Sequence, residues 1–572
     1  MRLLCLAALL ALYTLPAQAQ PIPPVHSNPA IHPVPSILEK DGRHALLVDG
    51  KPFLILGGQA HNSSAWPAML PKVWRAIEAM HANTLEVPIY WEQIEPSQGK
   101  FDLSLVDTLL TQARTHKVRL VLLWFATWKN GSNHYMPEWM KKEPSTYPNI
   151  TGRDGETIDS PAPDVQATLD ADTKAFAAVM RHLKVADPQR TVIMVQVENE
   201  PGSWNSVRNF SPGAQKAFEE AVPAELLKPS ILSALQTPVT SAGKGGENAR
   251  PGAGSWKEVF GDRADEYFQA WSIARFIGRV AAAGKAEYPL PMYVNAALRD
   301  PLTNPPATHY ESGGPTDNVL PIWKTAAPAI DILAPDIYLS GTARVLKVLD
   351  LYSQYGNPLF VPEAGLIPEN AKYLYATLGH GGIGFSPFGI DDNTLSPAAP
   401  TSSHELTPDN DALHKSSPDE ESLHKLTPYG DAYAILSPMM RDLAQWIFEG
   451  KVRAVIEPDD HTEQRIDFAG WQACVAFGKG RGYPLPGNTP PTGKLMIIQL
   501  SPNKFMITGT NCRITFHPLG KNAGKAWQYL KVEEGTYANG QFRAGRILNG
   551  DETDWGGPLF GDKPTILQAT LM

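Results

Sequence analysis

The chain has 572 residues, 43% of them hydrophobic and 19% charged. That length demands one large core plus a smaller one, and that composition excludes a disordered chain. The net charge of -9 excludes the basic surface that a phosphate backbone requires, so nucleic acid is not an expected partner.

Taken from the start, Arg2 precedes a mostly apolar run, Leu3 through Leu15, and Pro16-Ala17-Gln18-Ala19 offers an A-x-A cleavage site. This is the form of a secretory signal peptide over residues 1–19. The run is too short to span a bilayer, and Cys5 lies too early to be a lipidated cysteine. The expected location is therefore periplasmic or extracellular, with no membrane partner.

Residues 20–40 read as a Pro-rich extended arm. From residue 46, short apolar runs alternate with segments of helical period, the pattern of repeated βα units. Eight strands are predicted: Phe53–Gly58, Thr84–Tyr90, Arg119–Phe125, Thr191–Glu198, Pro291–Asn295, Ile332–Ile337, Pro358–Pro362 and Gly382–Phe388. Trp74–His81, Leu105–His116 and Ala264–Gly284 read as amphipathic helices between them. The runs are almost wholly apolar, as parallel strands covered on both faces should be. The predicted fold class is thus α/β, a (β/α)₈ barrel over residues 20–450. A doubly wound open sheet is the alternative, but no GxGxxG follows the first strand.

Residues 391–428 are rich in Pro, Ser and Asp, and repeat Leu-His-Lys at 413–415 and 423–425. They read as a loop insertion after the eighth strand, expected to overhang the mouth of the barrel. Tyr433–Glu449 reads as the closing helix. Beyond residue 451 the helical period disappears. Runs such as Trp471–Phe477, Leu495–Leu500 and Arg513–Phe516 alternate with turns, which predicts a smaller all-β, sandwich-like domain over 451–572. Cys474 and Cys512 fall in apparent strands there. A disulfide between them is expected in an exported protein, with two buried free thiols as the alternative. No Cys-rich or HExxH metal spacing occurs, so no metal is expected.

In a barrel of this kind, chemistry belongs to residues at the carboxyl ends of the strands. The fourth run ends in Glu198-Asn199-Glu200-Pro201-Gly202, and the seventh ends in Glu363-Ala364-Gly365. Two carboxyl groups facing each other across one mouth are what glycoside hydrolysis needs. One protonates the leaving oxygen and the other attacks the anomeric carbon, with no cofactor required. Strand alternation puts Glu198 and Glu200 on the same side if the fourth strand stays regular, so the pattern alone leaves both open as the acid.

The segment Val-Gln-Val-Glu-Asn-Glu-Pro-Gly at 195–202 resembles the acid/base motif of clan A glycoside hydrolases, most closely family 35, the β-galactosidases. Gly57-Gly58-Gln59-Ala60-His61 and Tyr90-Trp91-Glu92-Gln93-Ile94-Glu95-Pro96, followed by Gly99-Lys100-Phe101-Asp102, resemble that family's first two strand ends. The likeness covers roughly residues 45–450. It implies Glu200 as acid/base, Glu363 as nucleophile, Asn199 as the residue bonding the sugar 2-hydroxyl, and Tyr338 as the residue orienting the nucleophile. It also implies an oligosaccharide substrate bearing terminal galactose, with xyloglucan side chains as a source, cleaved with retention.

The chain departs from the family after strand three, where Trp124 to Gly131 replaces the usual Pro-Tyr and Glu-Trp, and at Pro88. These departures bear on the galactose pocket. Trp91, Trp128 and Trp204, with Trp66 and Trp124, lie near predicted strand ends and are candidate sugar platforms. Trp74 and Trp446, inside helices, are expected to pack. Other clan A activities (β-glucosidase, arabinosidase, endo-glycanase, a family 42 enzyme) and an inactive carbohydrate-binding barrel are the rival readings.

Overall fold

A computed structural model describes residues 32–235, 254–391, 418–480 and 485–572. The signal peptide and most of the predicted 391–428 insertion lie outside the described residues.

All eight predicted barrel strands are present. They are β1 (Ile55–Gln59), β2 (Thr84–Tyr90), β3 (Arg119–Lys129), β4 (Val192–Asn199), β5 (Met292–Ala296), β6 (Ile332–Ile337), β7 (Glu363–Ala364) and β8 (Gly384–Phe385). They pair in parallel in chain order, and β8 pairs back onto β1. A parallel bridge between Val361 and Phe385, with main-chain bonds from Ile383 to Leu359 and from Ser386 to Val361, closes the ring. The strands are buried along nearly their whole length, which is why their sequences carry no polar alternation.

Helices predicted from periodicity appear at Leu70–Ala79, Ser104–His116 and Ala264–Glu287. Between β3 and β4 the expected helix is Gln166–Ala186. The closing helix begins earlier than expected, at Pro418, and is followed by Met440–Phe448. Among the described residues, no helix is long and apolar enough to cross a membrane.

The C-terminal region is a sandwich. Its strands are β9 (Val452–Ile456), β10 (Gln464–Phe468), β11 (Trp471–Phe477), β12 (Lys494–Ser501), β13 (Lys504–Thr510), β14 (Cys512–Pro518), β15 (Tyr529–Ala538), β16 (Gln541–Leu548), β17 (Leu559–Phe560) and β18 (Thr565–Leu571). One sheet has six strands in the order β9-β12-β13-β18-β15-β16, the other four in the order β10-β11-β14-β17. Alternation in the six-stranded sheet serves two cores. Leu495, Ile497, Phe505, Ile507 and Leu567 face the four-stranded sheet. Met496, Ile498, Met506 and Ile566 join the core of the barrel. The hydroxyl of Tyr537 donates to Asp442 at 2.7 Å, and its ring meets Trp446 edge-on. The two domains therefore share apolar surface and are not joined by a linker alone.

The expected disulfide is absent: Cys474 and Cys512 are free and buried. In the β11–β14 register, Cys474 stands opposite Thr515 and Cys512 opposite Phe477. An offset of three residues places the two thiols on opposite faces, Cys512 in the sandwich core and Cys474 on the outer side. Both thiols of the unfolded, unreduced mature protein should therefore react with a labelling reagent. Reductant should leave the melting temperature unchanged, and a reductant-dependent drop would contradict this register.

Candidate active site

The mouth of the barrel gathers Glu200, Asp336 and Glu363, each with a carboxyl oxygen within 4.8 Å of those of the other two. Glu363 is buried at the start of β7. Its Oε1 accepts from Gln59 Nε2 at 2.8 Å, and from Asn199 Nδ2 and Asn295 Nδ2 at 3.3 Å each. Its Oε2 accepts from the Tyr338 hydroxyl at 2.8 Å. Four donors from four different strand ends thus converge on one carboxylate, close to the most it can accept.

Asn295, the last polar residue of the fifth strand's run, links the site together. It accepts from the Glu200 main-chain N–H at 2.9 Å and donates to Asp336 at 2.7 Å as well as to Glu363.

Acidity follows from burial and from the Glu363 charge. The Glu200 carboxyl is pushed up to about 7, first by burial and then by the Glu363 charge, against an opposing pull from the Lys129 ammonium and a hydrogen bond from Asp336. Asp336 is pushed well above the usual carboxylate range by burial and by both glutamates. Tyr338 is held far above the ordinary phenol by burial and by Glu363, so it remains a donor.

Deeper in the barrel, Glu86 accepts from the Tyr293 hydroxyl at 2.9 Å and is raised to about 8, chiefly by burial. The cluster is the only one among the described residues with the spacing of a metal site. Its donor set does not suit a cation, because Glu363's oxygens are met by N–H and O–H groups.

The backbone sends Glu198 and Glu200 in different directions. Both residues adopt positive φ, 64° and 41°, so the strand does not alternate regularly past Val197. Glu198 is turned away from the mouth. Its carboxyl accepts from Trp128 N at 2.6 Å and is hydrogen-bonded to Asp172 of the Gln166–Ala186 helix. Burial and the Asp172 charge raise Glu198 well above its usual range, so the two share a proton behind the strand.

Asn199 points inward, with its Oδ1 accepting from Lys129 Nζ at 2.6 Å. Lys129, the last residue of β3, was not singled out from sequence. Neither was Glu311, which follows β5 in a loop where the sequence carries no recognisable signal. Glu311 sits on two glycines: a Cβ at Gly131 would lie 2.3 Å from its Oε1, and one at Gly202 would lie 2.7 Å from its Cγ. Its carboxyl is raised well above its usual value by burial and by the Glu200 charge, and it bonds the indole of Trp204.

Of the predicted aromatic platforms, Trp204 is 44% exposed and Trp66 is 50% exposed. Trp91 and Trp128 are fully buried, which corrects their assignment as sugar walls. Trp91 donates to Glu95 Oε2 at 2.9 Å, and Glu95 Oε1 accepts from Gly99 N at 2.6 Å. The Trp-Glu-Gln-Ile-Glu-Pro segment is thus a structural staple. Trp128 meets Phe276 edge-on. Trp124 is likewise internal and donates to Asp172 at 2.9 Å.

Residues 429–559 match a family model described as a domain of unknown function, DUF5597. A β-galactosidase of Xanthomonas manihotis is 28% identical over 163 residues, covering 27% of this chain and 25% of that protein. Beta-galactosidase 11 of Arabidopsis thaliana is 31% identical over 110 residues, covering 18% of this chain and 13% of that protein. The chain therefore matches a quarter or less of the length of these relatives. Among solved structures, the β-galactosidase of Rahnella sp. R3 is 16% identical, with a TM-score of 0.46 over 71% of this chain and 59% of that one.

Two outcomes follow from the electrostatics. Lys129→Met removes the cation that lowers Glu200, so the basic limb of the pH–activity profile should move above its wild-type position near pH 7. A limb that stays fixed or falls would refute the coupling. Glu86 binds its proton more tightly folded than unfolded, so it contributes a loss of stability as pH rises from 4.5 to about 8. Glu86→Gln should flatten that part of the melting-temperature profile.

Proposed function

We propose that this chain is a glycoside hydrolase of the clan A type, acting with retention on terminal β-galactosyl residues. The observation that carries the proposal is the pairing of a proton-holding Glu200 with a donor-saturated Glu363 at less than 4.8 Å between oxygens. Retaining enzymes hold their carboxyls roughly 5–5.5 Å apart and inverting ones more than about 6.5 Å, to admit a water between them. The spacing here favours direct attack.

In the first step Glu200 gives its proton to the glycosidic oxygen while Glu363 attacks the anomeric carbon. Oε1 already takes three donors, so Oε2, with only the Tyr338 hydroxyl on it, is the attacking atom. Ester formation then removes the Glu363 charge. That charge is one of the causes holding Glu200 high, so Glu200 becomes a stronger acid at the moment it must serve as a base toward water. No cofactor enters either step.

The galactosyl preference is supported by the motif likeness and by relatives named as β-galactosidases. Release from the ends of plant-type oligosaccharides such as xyloglucan side chains, and export through residues 1–19, belong to the same proposal. Trp204, bonded to Glu311 beside the acid, is its candidate wall for the leaving sugar.

Hydrolysis of an aryl β-galactoside in a panel of aryl glycosides tests the sugar. Glu363→Ala should lower kcat by at least about a thousandfold, and a 2-fluoro galactoside should label Glu363 in the wild type. Early product of inverted configuration would overturn the mechanism. With a dinitrophenyl galactoside, Glu200→Ala should give a burst followed by slow turnover, restored by azide as a β-galactosyl azide. Glu198→Ala should destabilise the protein by breaking its pair with Asp172, and show no azide rescue. Rescue in Glu198→Ala alone would reverse the assignment. Tyr338→Phe should reduce kcat/KM by about tenfold to a hundredfold while leaving the fold intact.

A further inference from the structure

The four-stranded sheet of the C-terminal domain has an outer face with an unusual arrangement. Ala473, Val475 and Phe477 of β11, with Cys512, Ile514 and Phe516 of β14, fill the sandwich core. Alternation therefore sends Gln472, Cys474 and Ala476, with Arg513, Thr515 and His517, to the other side. The register pairs them across the strands as Gln472 with His517, Cys474 with Thr515, and Ala476 with Arg513. Together they line a groove of about 900 Å³. Its floor is small, made by Cys474, Ala476 and Thr515. One wall is Glu463 and Arg465, and the other is Trp555.

Two features of this groove are costly unless something binds there. Trp555 keeps its ring 73% exposed on a backbone at φ 54°, a conformation that disfavours a bulky side chain. Arg513 is only 4% exposed, yet no carboxylate pairs with it among the described residues. Its guanidinium donates to the main-chain carbonyls of Trp555 and of Gly480, the latter at 3.3 Å, and its buried Nε has no partner among the described residues. Arg465 does not share this condition, since Glu463 meets it at 3.1 Å and balances its charge. The groove thus holds one uncompensated buried cation beside a bare aromatic ring. A buried charge calls for a partner of opposite sign. A flat aromatic face takes the apolar face of a sugar ring.

We propose that this groove binds a glycan chain bearing uronic acids. The carboxylate sits on Arg513, a sugar ring stacks on Trp555, and Gln472, Thr515 and His517 take hydroxyl groups. Choosing a sugar over other carboxylates rests on the glycosidase reading of the barrel, but binding here requires no hydrolysis. The sandwich is fused to the barrel through shared core residues, so an anchored chain is held at a fixed distance from the barrel mouth.

The test is calorimetric titration of the full-length protein with an oligogalacturonate, beside a neutral xyloglucan oligosaccharide. Expected is saturable binding of the oligogalacturonate that weakens as salt is raised. It should weaken at least tenfold in Trp555→Ala and in Arg513→Gln, with turnover of an aryl galactoside unchanged in Trp555→Ala. Arg513 also clamps the Trp555 loop, so if Arg513→Gln lowers the melting temperature, Trp555→Ala decides the matter. Absence of oligogalacturonate binding, binding indifferent to Trp555→Ala, or equal Trp555-dependent binding of the neutral oligosaccharide would each overturn the proposal. Binding as expected, with no galactosidase activity, would support this site and count against the barrel reading instead.

Discussion

A single negative charge, on Glu363, organises the mouth of the barrel. Gln59, Asn199, Asn295 and Tyr338 come from four strand ends and all donate to it. The same charge contributes to raising Glu200, Asp336, Tyr338 and the deeper Glu86. In a water-poor site the charge-bearing position therefore decides which neighbours keep their protons. Of the acids the charge acts on, Glu200 is brought to about 7 and the deeper Glu86 to about 8. At Glu200 the Lys129 ammonium and the Asp336 hydrogen bond offset part of the burial effect, while burial and both glutamates push Asp336 well up. Three carboxyl groups within 4.8 Å of one another thus sit in different surroundings: donors crowd Glu363, while burial and its charge push Glu200 and Asp336 up.

That arrangement needs a rigid frame, and the frame is larger than the barrel. The six-stranded sheet gives alternate residues to two cores, so the β domain and the barrel cannot separate without exposing Met496, Ile498, Met506 and Ile566. Lys372, on the helix Ala371–Gly379 that follows β7, donates to the main-chain carbonyls of Glu457 and Pro491 at 3.1 and 2.9 Å. The helix next in sequence to the Glu363 strand is therefore braced by the second domain. This gives the C-terminal domain a structural task apart from any binding role.

Much of the fold was legible because buried parallel strands read as apolar runs, and all eight were placed within a few residues. The placement of Glu200 and Glu363 at one mouth was legible because each ends such a run. Asn295 and Gln59 also end or closely follow predicted strands and were overlooked, although the rule that found the glutamates applies to them equally. Glu311 was not legible: its place over Gly131 and Gly202 is made by the folding of a loop, and nothing in its local sequence foretells it. Trp91 and Trp128 show the converse. Nearness to a strand end does not set which way a ring turns, and both turn into the packing around Trp124 and Phe276. The disulfide failed on register, since two cysteines in paired strands can still face opposite ways.

The end of β4 shows why alternation misleads at such a site. A regular strand would send Glu198 and Glu200 to one side, putting two acids of the same strand into one mouth already holding Asp336 and Glu363. The left-handed turns at Glu198 and Glu200 avoid this, at a cost of about 1–2 kcal/mol for each such residue. They turn Glu198 outward to share a proton with Asp172, and that buried pair in turn holds Trp124, Thr127 and the main chain of Trp128. The end of β3 is thereby fixed, and β3 carries Lys129, whose ammonium orients Asn199 and tempers Glu200. Glu198 thus acts on the chemistry from behind the strand. Of the two glutamates at the end of β4, only Glu200 therefore joins Asp336 and Glu363 in the mouth, while Glu198 holds the wall behind it.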